Sequence, residues 1–155
     1  MRTTIRFTKN LVAEFGNGLC NIILMGWGPN QMSSIHSHNG SRCFVKVLQG
    51  SINEIRLACP SKEKPSVQVN LAEEQGQTLK ANDVCYIDDQ IGAHKVTNKS
   101  NEVPAISMHI YVPAYKTARV YVPQEAPSGR GIEINADRCN QVDLKFQHEQ
   151  VVVGR

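Results

Sequence analysis

Three histidines of this chain have the residue type and spacing of metal ligands. His36 and His38 are separated by one residue, and His94 lies far downstream in the segment IGAHKVTN. In an extended strand, residues i and i+2 project from the same face, so the imidazoles of the pair can converge on one ion. The pair alone is weak support, because a His-X-His pair is also a common hydrogen-bonded surface feature. The third histidine, on another predicted strand, makes a metal site a reasonable hypothesis.

The ligand type bears on what else such a site would bind. Three neutral imidazoles leave a divalent ion with its full positive charge, which favours an anionic ligand such as a thiolate in the open positions. The same three ligands could instead hold zinc with a bound water. The ligand set therefore predicts a metal centre without deciding which metal it holds.

A second group of polar residues alternates with apolar residues in the segment AISMHIYV. The period of two places Ser107, His109 and Tyr111 on one face of a strand. A half-buried strand with its polar side in water would show the same pattern. Inside a barrel, the three side chains would form a hydrogen-bond relay in which the serine orients the imidazole and the imidazole polarises the phenol.

The rest of the sequence predicts an all-β scaffold that positions these groups. Short β-rich runs are separated by Gly, Pro, Asn and Ser, and no segment sustains an apolar period of 3.6. Such a pattern favours a barrel or jelly roll. We interpret Gln49-Gly50-Ser51 as a tight hairpin turn and residues 60–65 as an exposed loop. The predicted strands are roughly 20–27, 43–49, 51–57, 66–71, 84–87, 93–97, 105–112 and 118–122, with a further β segment around 141–146.

Length and composition exclude several classes of protein. A chain of 155 residues with 41% hydrophobic residues fits a single domain, 1–155. The net charge of +3 is small and its cations are scattered, so we expect no nucleic-acid partner. No apolar run approaches the roughly 20 residues that cross a bilayer, and no signal peptide is evident. We therefore expect a cytoplasmic monomer without a membrane partner, acting on a small molecule. Five cysteines at irregular spacings without a CxxC pair argue against a disulfide framework, and we expect most of them to be plain buried thiols.

Two blocks of sequence resemble the motifs of the cupin superfamily, whose fold is a jelly-roll β-barrel. They are GPNQMSSIHSHNGSRCFVKVLQG, from Gly28, and IGAHKVTN, from Ile91. In the usual first motif a glutamate ligand follows the histidine pair, and Cys43 occupies that position here. Together with CYI at 85–87 and the SMHIY strand, these residues resemble the eukaryotic-type cysteine dioxygenases, over about residues 7–115.

The resemblance implies a cofactor and a set of site residues. Fe(II) would be bound by His36, His38 and His94. Cys43 and Tyr111 would be joined by a thioether crosslink that acts as a protein-derived cofactor. The further residues implied are Ser107 and His109 in the relay with Tyr111, Trp27 in the substrate pocket, and a cis peptide bond at Val112-Pro113.

The resemblance also implies the reaction. The small-molecule partners would be a thiol, free cysteine, and O₂. Both oxygen atoms would be transferred to sulfur, which gives cysteine sulfinic acid without an external reductant. Orientation of the reactants at one ion would supply much of the catalysis.

The chain departs from the family at the expected carboxylate-binding segment. The family has YTRN where this chain has FTKN, so Phe7 and Lys9 replace a tyrosine and an arginine. Lysine keeps the charge but cannot grip a carboxylate with two parallel hydrogen bonds. Each loss would weaken substrate binding by roughly 1–3 kcal/mol. The alternative is that Lys9 is a solvated lysine near the chain terminus. We also expect the helical stretch that precedes the barrel in the family to be largely missing here.

Three other functions stay open at this point. A dioxygenase of another small thiol, 3-mercaptopropionate or cysteamine, would use the same metal chemistry, although Cys43 favours the cysteine-acting branch. A non-catalytic metal-binding cupin would keep the ligands without turnover. A hydrolytic zinc protein is less consistent with the sequence, because we identify no residue that supplies its usual general base.

Overall fold

The computed structural model describes residues 7–70, 76–147 and 152–153. Within these ranges the chain forms β-strands and no helix, so the predicted all-β class is confirmed. No helix in the described part of the chain is long and apolar enough to cross a membrane. The strands are β1 Thr8–Phe15, β2 Cys20–Trp27, β3 His36–Ser37, β4 Arg42–Gln49, β5 Ser51–Leu57, β6 Ser66–Val69, β7 Gln77–Lys80, β8 Val84–Ile87, β9 Ala93–Thr97, β10 Ala105–Val112, β11 Thr117–Tyr121, β12 Gln124–Glu125, β13 Ile132–Asn135, β14 Cys139–Asp143 and β15 Val152–Val153.

Two six-stranded sheets form the body of the molecule. One has the order β15-β1-β2-β10-β4-β8, the other the order β14-β11-β3-β9-β5-β7, and a three-stranded sheet β12-β13-β6 lies beside them. Both large sheets contribute to one buried apolar cluster, which includes Ile23 and Val47 of the first sheet and Ile52 of the second. A fully buried Val or Ile contributes about 1.5–3 kcal/mol. The two sheets therefore enclose a barrel-like interior.

Alternation along the strands decides what that interior contains. Every second residue of β2 is buried, and β10 alternates in the same way. The buried positions of β10 are Ala105, Ser107, His109 and Tyr111. The polar face of β10 therefore lies inside the barrel and not in water.

The interpretation of residues 49–51 as a hairpin turn is wrong. β4 and β5 lie in different sheets, and Ser51 pairs with Lys80 of β7. Gly50 has a positive φ of 70°, and a Cβ on it would lie 2.6 Å from the carbonyl oxygen of Pro104. Glycine is thus required at a corner where the chain passes between sheets.

The predicted strands coincide with observed ones to within a few residues, although residue 71 lies outside the described ranges. Sequence analysis missed β1, β7 and β13 and the two-residue strands β3, β12 and β15. In β1 the pairing register with β2 shifts between Leu11 and Ala13. Such an irregularity breaks the alternation that identifies a strand in sequence. β3 has only two residues, too few to show a period.

Candidate metal centre

The three predicted histidine ligands converge in the structure. His36 of β3 and His94 of β9 are direct register partners, and His38 follows His36 at the spacing that returns to the same face. One nitrogen from each ring lies within 4.8 Å of the others. The Nε2 atoms of His36 and His94 are 3.1 Å apart.

Hydrogen bonds on the far side of two rings determine which nitrogen carries a proton. Nδ1 of His36 is 2.9 Å from the carbonyl oxygen of Ser34, and Nδ1 of His94 is 2.8 Å from Oε1 of Glu54. Carbonyl and carboxylate oxygens accept, so each Nδ1 donates and each Nε2 presents a lone pair. Two lone pairs 3.1 Å apart repel one another unless a cation lies between them.

His38 provides an independent test of the fit to a metal. The ring is buried, and neither of its nitrogens has a hydrogen-bond partner. An unsatisfied buried polar atom costs about 1–3 kcal/mol. Burial, followed by the neighbouring imidazoles, lowers the pKa of His38, and burial also lowers the pKa values of His36 and His94. Neutral rings with converging lone pairs fit a divalent cation better than a proton.

The loop after the histidine pair is held by Asp89. Its carboxylate accepts hydrogen bonds from the backbone N–H of His38 at 2.7 Å and from that of Gly40 at 2.8 Å. Asn39 and Gly40 both have positive φ, so the chain turns sharply after the last histidine. Asp89 therefore determines the position of the His38 backbone. Sequence inspection did not identify it.

The predicted hydrogen-bond relay of Ser107, His109 and Tyr111 is present, and Trp27 extends it at the serine end. Trp27 donates from Nε1 to Oγ of Ser107 at 2.8 Å, and this Oγ is 2.8 Å from Nε2 of His109. Nδ1 of His109 is 3.3 Å from the hydroxyl of Tyr111. Trp27 can only donate, so the serine hydrogen is free to donate to Nε2. In the tautomer in which Ser107 donates to Nε2, the imidazole proton is on Nδ1, and the hydroxyl hydrogen of Tyr111 is available to Cys43 or to a group in the cavity.

Cys43 and Tyr111 are brought together by strand pairing. They are register partners of β4 and β10, and Sγ of Cys43 is 3.7 Å from Nδ1 of His109. Burial raises the pKa of both the thiol and the phenol, so both are protonated at neutral pH. The peptide bond Val112-Pro113 immediately after this strand position is cis, as predicted.

A cavity of about 300 Å³ opens beside the histidines. Its volume suits a small ligand. The rings of Phe7 and Trp27 stack with their centroids 4.3 Å apart, and Nζ of Lys9 lies 4.7 Å from the Phe7 ring. Lys9 is therefore part of the cavity wall and not a distant terminal lysine. The lining includes the predicted residues Phe7, Lys9, Trp27, His36, His94, His109 and Tyr111.

Two further buried residues at the site were missed. Glu54 is 3% exposed and contacts His94, and Tyr115 is 3% exposed with its ring stacked on Tyr111 at 4.6 Å. Tyr115 also donates from its hydroxyl to the carbonyl oxygen of Ser37, between the paired ligands. The sequence offered one signal for Glu54, since an acidic residue stands in the middle of the β-rich run SINEIRL.

Comparison with known proteins connects this geometry to a family. The family profile described as cysteine dioxygenase type I matches residues 3–124. Cysteine dioxygenase type 1 of Homo sapiens is 41% identical over 116 residues, which are 75% of this chain and 56% of that protein. The protein of the same name from Danio rerio is 38% identical over the same shares of the two chains. The chain thus spans about half the length of the curated relatives it matches.

Solved structures that are similar to this chain share its fold. A Klebsiella pneumoniae protein with a double-stranded beta-helix domain aligns with a TM-score of 0.54 and 16% identity, covering 73% of this chain and 82% of that one. An RmlC-like cupin protein from Desulfovibrio desulfuricans aligns with a TM-score of 0.50 and 16% identity, covering 70% and 84%. The cupin-type jelly-roll barrel is therefore confirmed.

Proposed function

The chain belongs to the cysteine dioxygenase type I family, and from this membership we propose that it is a thiol dioxygenase that converts L-cysteine to cysteine sulfinic acid. One observation carries the proposal. Three neutral imidazoles converge beside a small cavity that also contains a lysine, Lys9. A cation held by neutral ligands favours a thiolate, and the ammonium group of Lys9 is complementary to a carboxylate. Cysteine supplies both groups.

We assign the metal-binding role to His36, His38 and His94, and the metal to Fe(II). Their nitrogens fit a cation, as the unpartnered ring of His38 indicates. When bound, Fe(II) would supply open coordination positions where thiolate and O₂ meet, and would transfer electron density from sulfur to oxygen. Asp89 would hold the backbone of His38 in place, and the strand pairing of β3 with β9 would hold His36 opposite His94.

Lys9 would bind the carboxylate of the substrate. Its ammonium lies at the cavity wall beside Phe7, and Phe7 packs on Trp27. These two rings place an apolar surface beside Lys9, which would lower the local dielectric constant and strengthen the pairing of its charge with a carboxylate. Lysine offers a point charge without the planar geometry of arginine, so substrate orientation would depend more on the metal and on Tyr111.

Tyr111 would direct a hydroxyl hydrogen towards the reactants. The chain of donors from Trp27 through Ser107 and His109 leaves that hydrogen available. A preorganised donor of this kind stabilises charge that develops on oxygen or sulfur. We propose that a thioether bond between Cys43 and Tyr111 fixes the phenol further, which would tune the rate without being essential for turnover.

The overall reaction balances without another reactant. Both atoms of O₂ are added to the substrate sulfur, which loses four electrons, while the two oxygen atoms gain four. The thiol proton leaves and a sulfinate forms. The residues of this chain would therefore need to bind, orient and donate hydrogen bonds, and no residue would have to accept net electrons.

The proposal is tested by measuring O₂ uptake of the Fe(II)-loaded protein with L-cysteine, 3-mercaptopropionate and cysteamine. We expect the greatest uptake with cysteine, two oxygen atoms in the product by mass spectrometry, and no uptake by a zinc-loaded control. Greater uptake with 3-mercaptopropionate would reassign the substrate. Tight Fe(II) binding without uptake with any thiol would contradict the proposal and favour a non-catalytic metal-binding cupin.

A further inference from the structure

Glu54 contacts the metal site through a single ligand. Its side chain is almost fully buried, with Oε1 2.8 Å from Nδ1 of His94. A carboxylate that accepts this hydrogen bond fixes the ring and makes Nε2 a stronger electron donor to a bound ion. Among the three histidines, His94 is the one whose outer nitrogen contacts a charged side chain, since His36 contacts a carbonyl and His38 has no hydrogen-bond partner.

Arg56 opposes this effect on the other oxygen of the same carboxylate. Nε of Arg56 is 3.0 Å from Oε2 of Glu54. Nη2 of Arg56 donates to the carbonyl oxygen of Tyr86 at 2.8 Å. Because Tyr86 belongs to β8 in the opposite sheet, the guanidinium is fixed between the two sheets. It withdraws electron density from the carboxylate that His94 uses.

We propose that Glu54 and Arg56 are positioning residues with opposite effects on the metal: Glu54 increases, and Arg56 decreases, the negative charge delivered to the ion through His94. The pair would set both the affinity for the ion and the reduction potential of bound iron. The inference rests on the three-histidine metal site of the proposed function. It does not depend on which thiol is oxidised.

Removing Glu54 and removing Arg56 should therefore change the affinity for Fe(II) in opposite directions. Glu54→Gln keeps a hydrogen-bond acceptor for Nδ1 of His94 and removes the charge. We expect it to weaken Fe(II) binding roughly 10- to 100-fold, as changes to such partners generally do. Arg56→Met leaves the carboxylate uncompensated and should tighten binding by roughly threefold or more. Arg56→Lys keeps the positive charge and should bind Fe(II) with nearly the affinity of the unmodified protein.

The measurement is an anaerobic competition for Fe(II) between the full chain and a chelator at about pH 8. An alkaline pH is chosen because burial raises the pKa of Glu54 above its ordinary value. The midpoint potential of bound iron is measured on the same samples and should rise in Glu54→Gln and fall in Arg56→Met. Arg42→Met removes an exposed arginine of a different strand, β4, and serves as the matched control. The affinity for Fe(II) and the midpoint potential should both be unchanged in this variant.

The outcomes separate this inference from the proposed function. A purely structural role for the pair would weaken binding in both variants and leave the potential unmoved, which would overturn the inference. Equal affinities in all variants would overturn it as well. Failure of the unmodified chain to bind Fe(II) would instead overturn the proposed function. Arg56 is about one-third exposed, so Arg56→Met and Arg56→Lys should fold. These two variants still test the inference if Glu54→Gln fails to fold.

Discussion

Cys43 of β4 and Tyr111 of β10 face one another as direct partners on neighbouring antiparallel strands, and both side chains are buried inside the barrel. Opposed residues of such a pair have Cβ atoms about 4.5–5.5 Å apart. The pairing of two central strands therefore holds a thiol beside a phenol next to the candidate metal site. His109, whose Nδ1 is close to both, lies on the same face.

The first prediction concerns a thioether between these two residues. Its formation joins Sγ to a ring carbon of Tyr111, and the thiol and the ring together lose two protons and two electrons, which reduce one O₂ to hydrogen peroxide. After incubation with Fe(II), cysteine and O₂, we expect the intact protein to be lighter by two hydrogens. The Cys43→Ser variant should keep its full mass and lose roughly tenfold or less in kcat, because the phenol stays oriented by His109. An unchanged mass of the unmodified chain after many turnovers would contradict the proposed crosslink.

The second prediction concerns Lys9 and the substrate carboxylate. Lys9→Arg should lower KM for cysteine, because a guanidinium can donate two parallel hydrogen bonds to a carboxylate. Lys9→Met should raise KM roughly tenfold or more, with a smaller change in kcat. Steady-state O₂ uptake measures both. Cysteamine has no carboxylate, and its KM should not rise in Lys9→Met; a parallel rise for both thiols would show that the lysine acts on the fold of the site.

The third prediction concerns Tyr115. Its hydroxyl donates to the carbonyl of Ser37, while its ring packs on Tyr111. Tyr115→Phe keeps the ring and should lower the free energy of unfolding by about 1 kcal/mol. Tyr115→Ala should lower it by about 3–5 kcal/mol, because a buried aromatic ring is lost. Urea unfolding of the metal-free chain provides the measurement. Equal losses in the two variants would mean that the hydroxyl, and not the ring, carries the stabilisation.

The fourth prediction is that the metal-free chain becomes less stable towards unfolding as the pH falls. Burial lowers the pKa of His109 to about 3, whereas an unfolded histidine has a pKa of about 6.5. Below about pH 6.5 the unfolded chain binds a proton that the folded chain does not, so stability falls as the pH falls towards about 3. The slope is up to about 1.4 kcal/mol per pH unit for each such histidine. The three candidate ligands are shifted in the same direction.

Urea unfolding between about pH 7.5 and 4.5 measures this slope. His109→Gln removes one titrating group and should reduce the slope by up to about 1.4 kcal/mol per pH unit. A slope that is the same in both proteins would mean that His109 is not held neutral in the fold. With saturating Zn²⁺ the free energy of unfolding should depend more steeply on pH, because protons compete with the ion for the histidine ligands.

Local patterns predicted much of the fold and of the site. The alternation of Ser107, His109 and Tyr111 places them on one face whatever surrounds the strand, and the spacing of His36 and His38 does the same. The corner at Gly50 was mistaken for a hairpin, because a glycine with positive φ suits both and sequence alone does not say which strands pair. β1 was missed because its register irregularity removes the alternation.

By itself, the sequence determined the residue types, the strand faces and, through its resemblance to a family, the three candidate metal ligands. These properties repeat at spacings of two residues or are read directly from motifs. Only the tertiary structure decided that Glu54 contacts His94, 40 residues away, and that Asp89 holds His38, 51 residues away. Such contacts depend on which strands become neighbours across the barrel, and that choice is made by the packing of the whole chain.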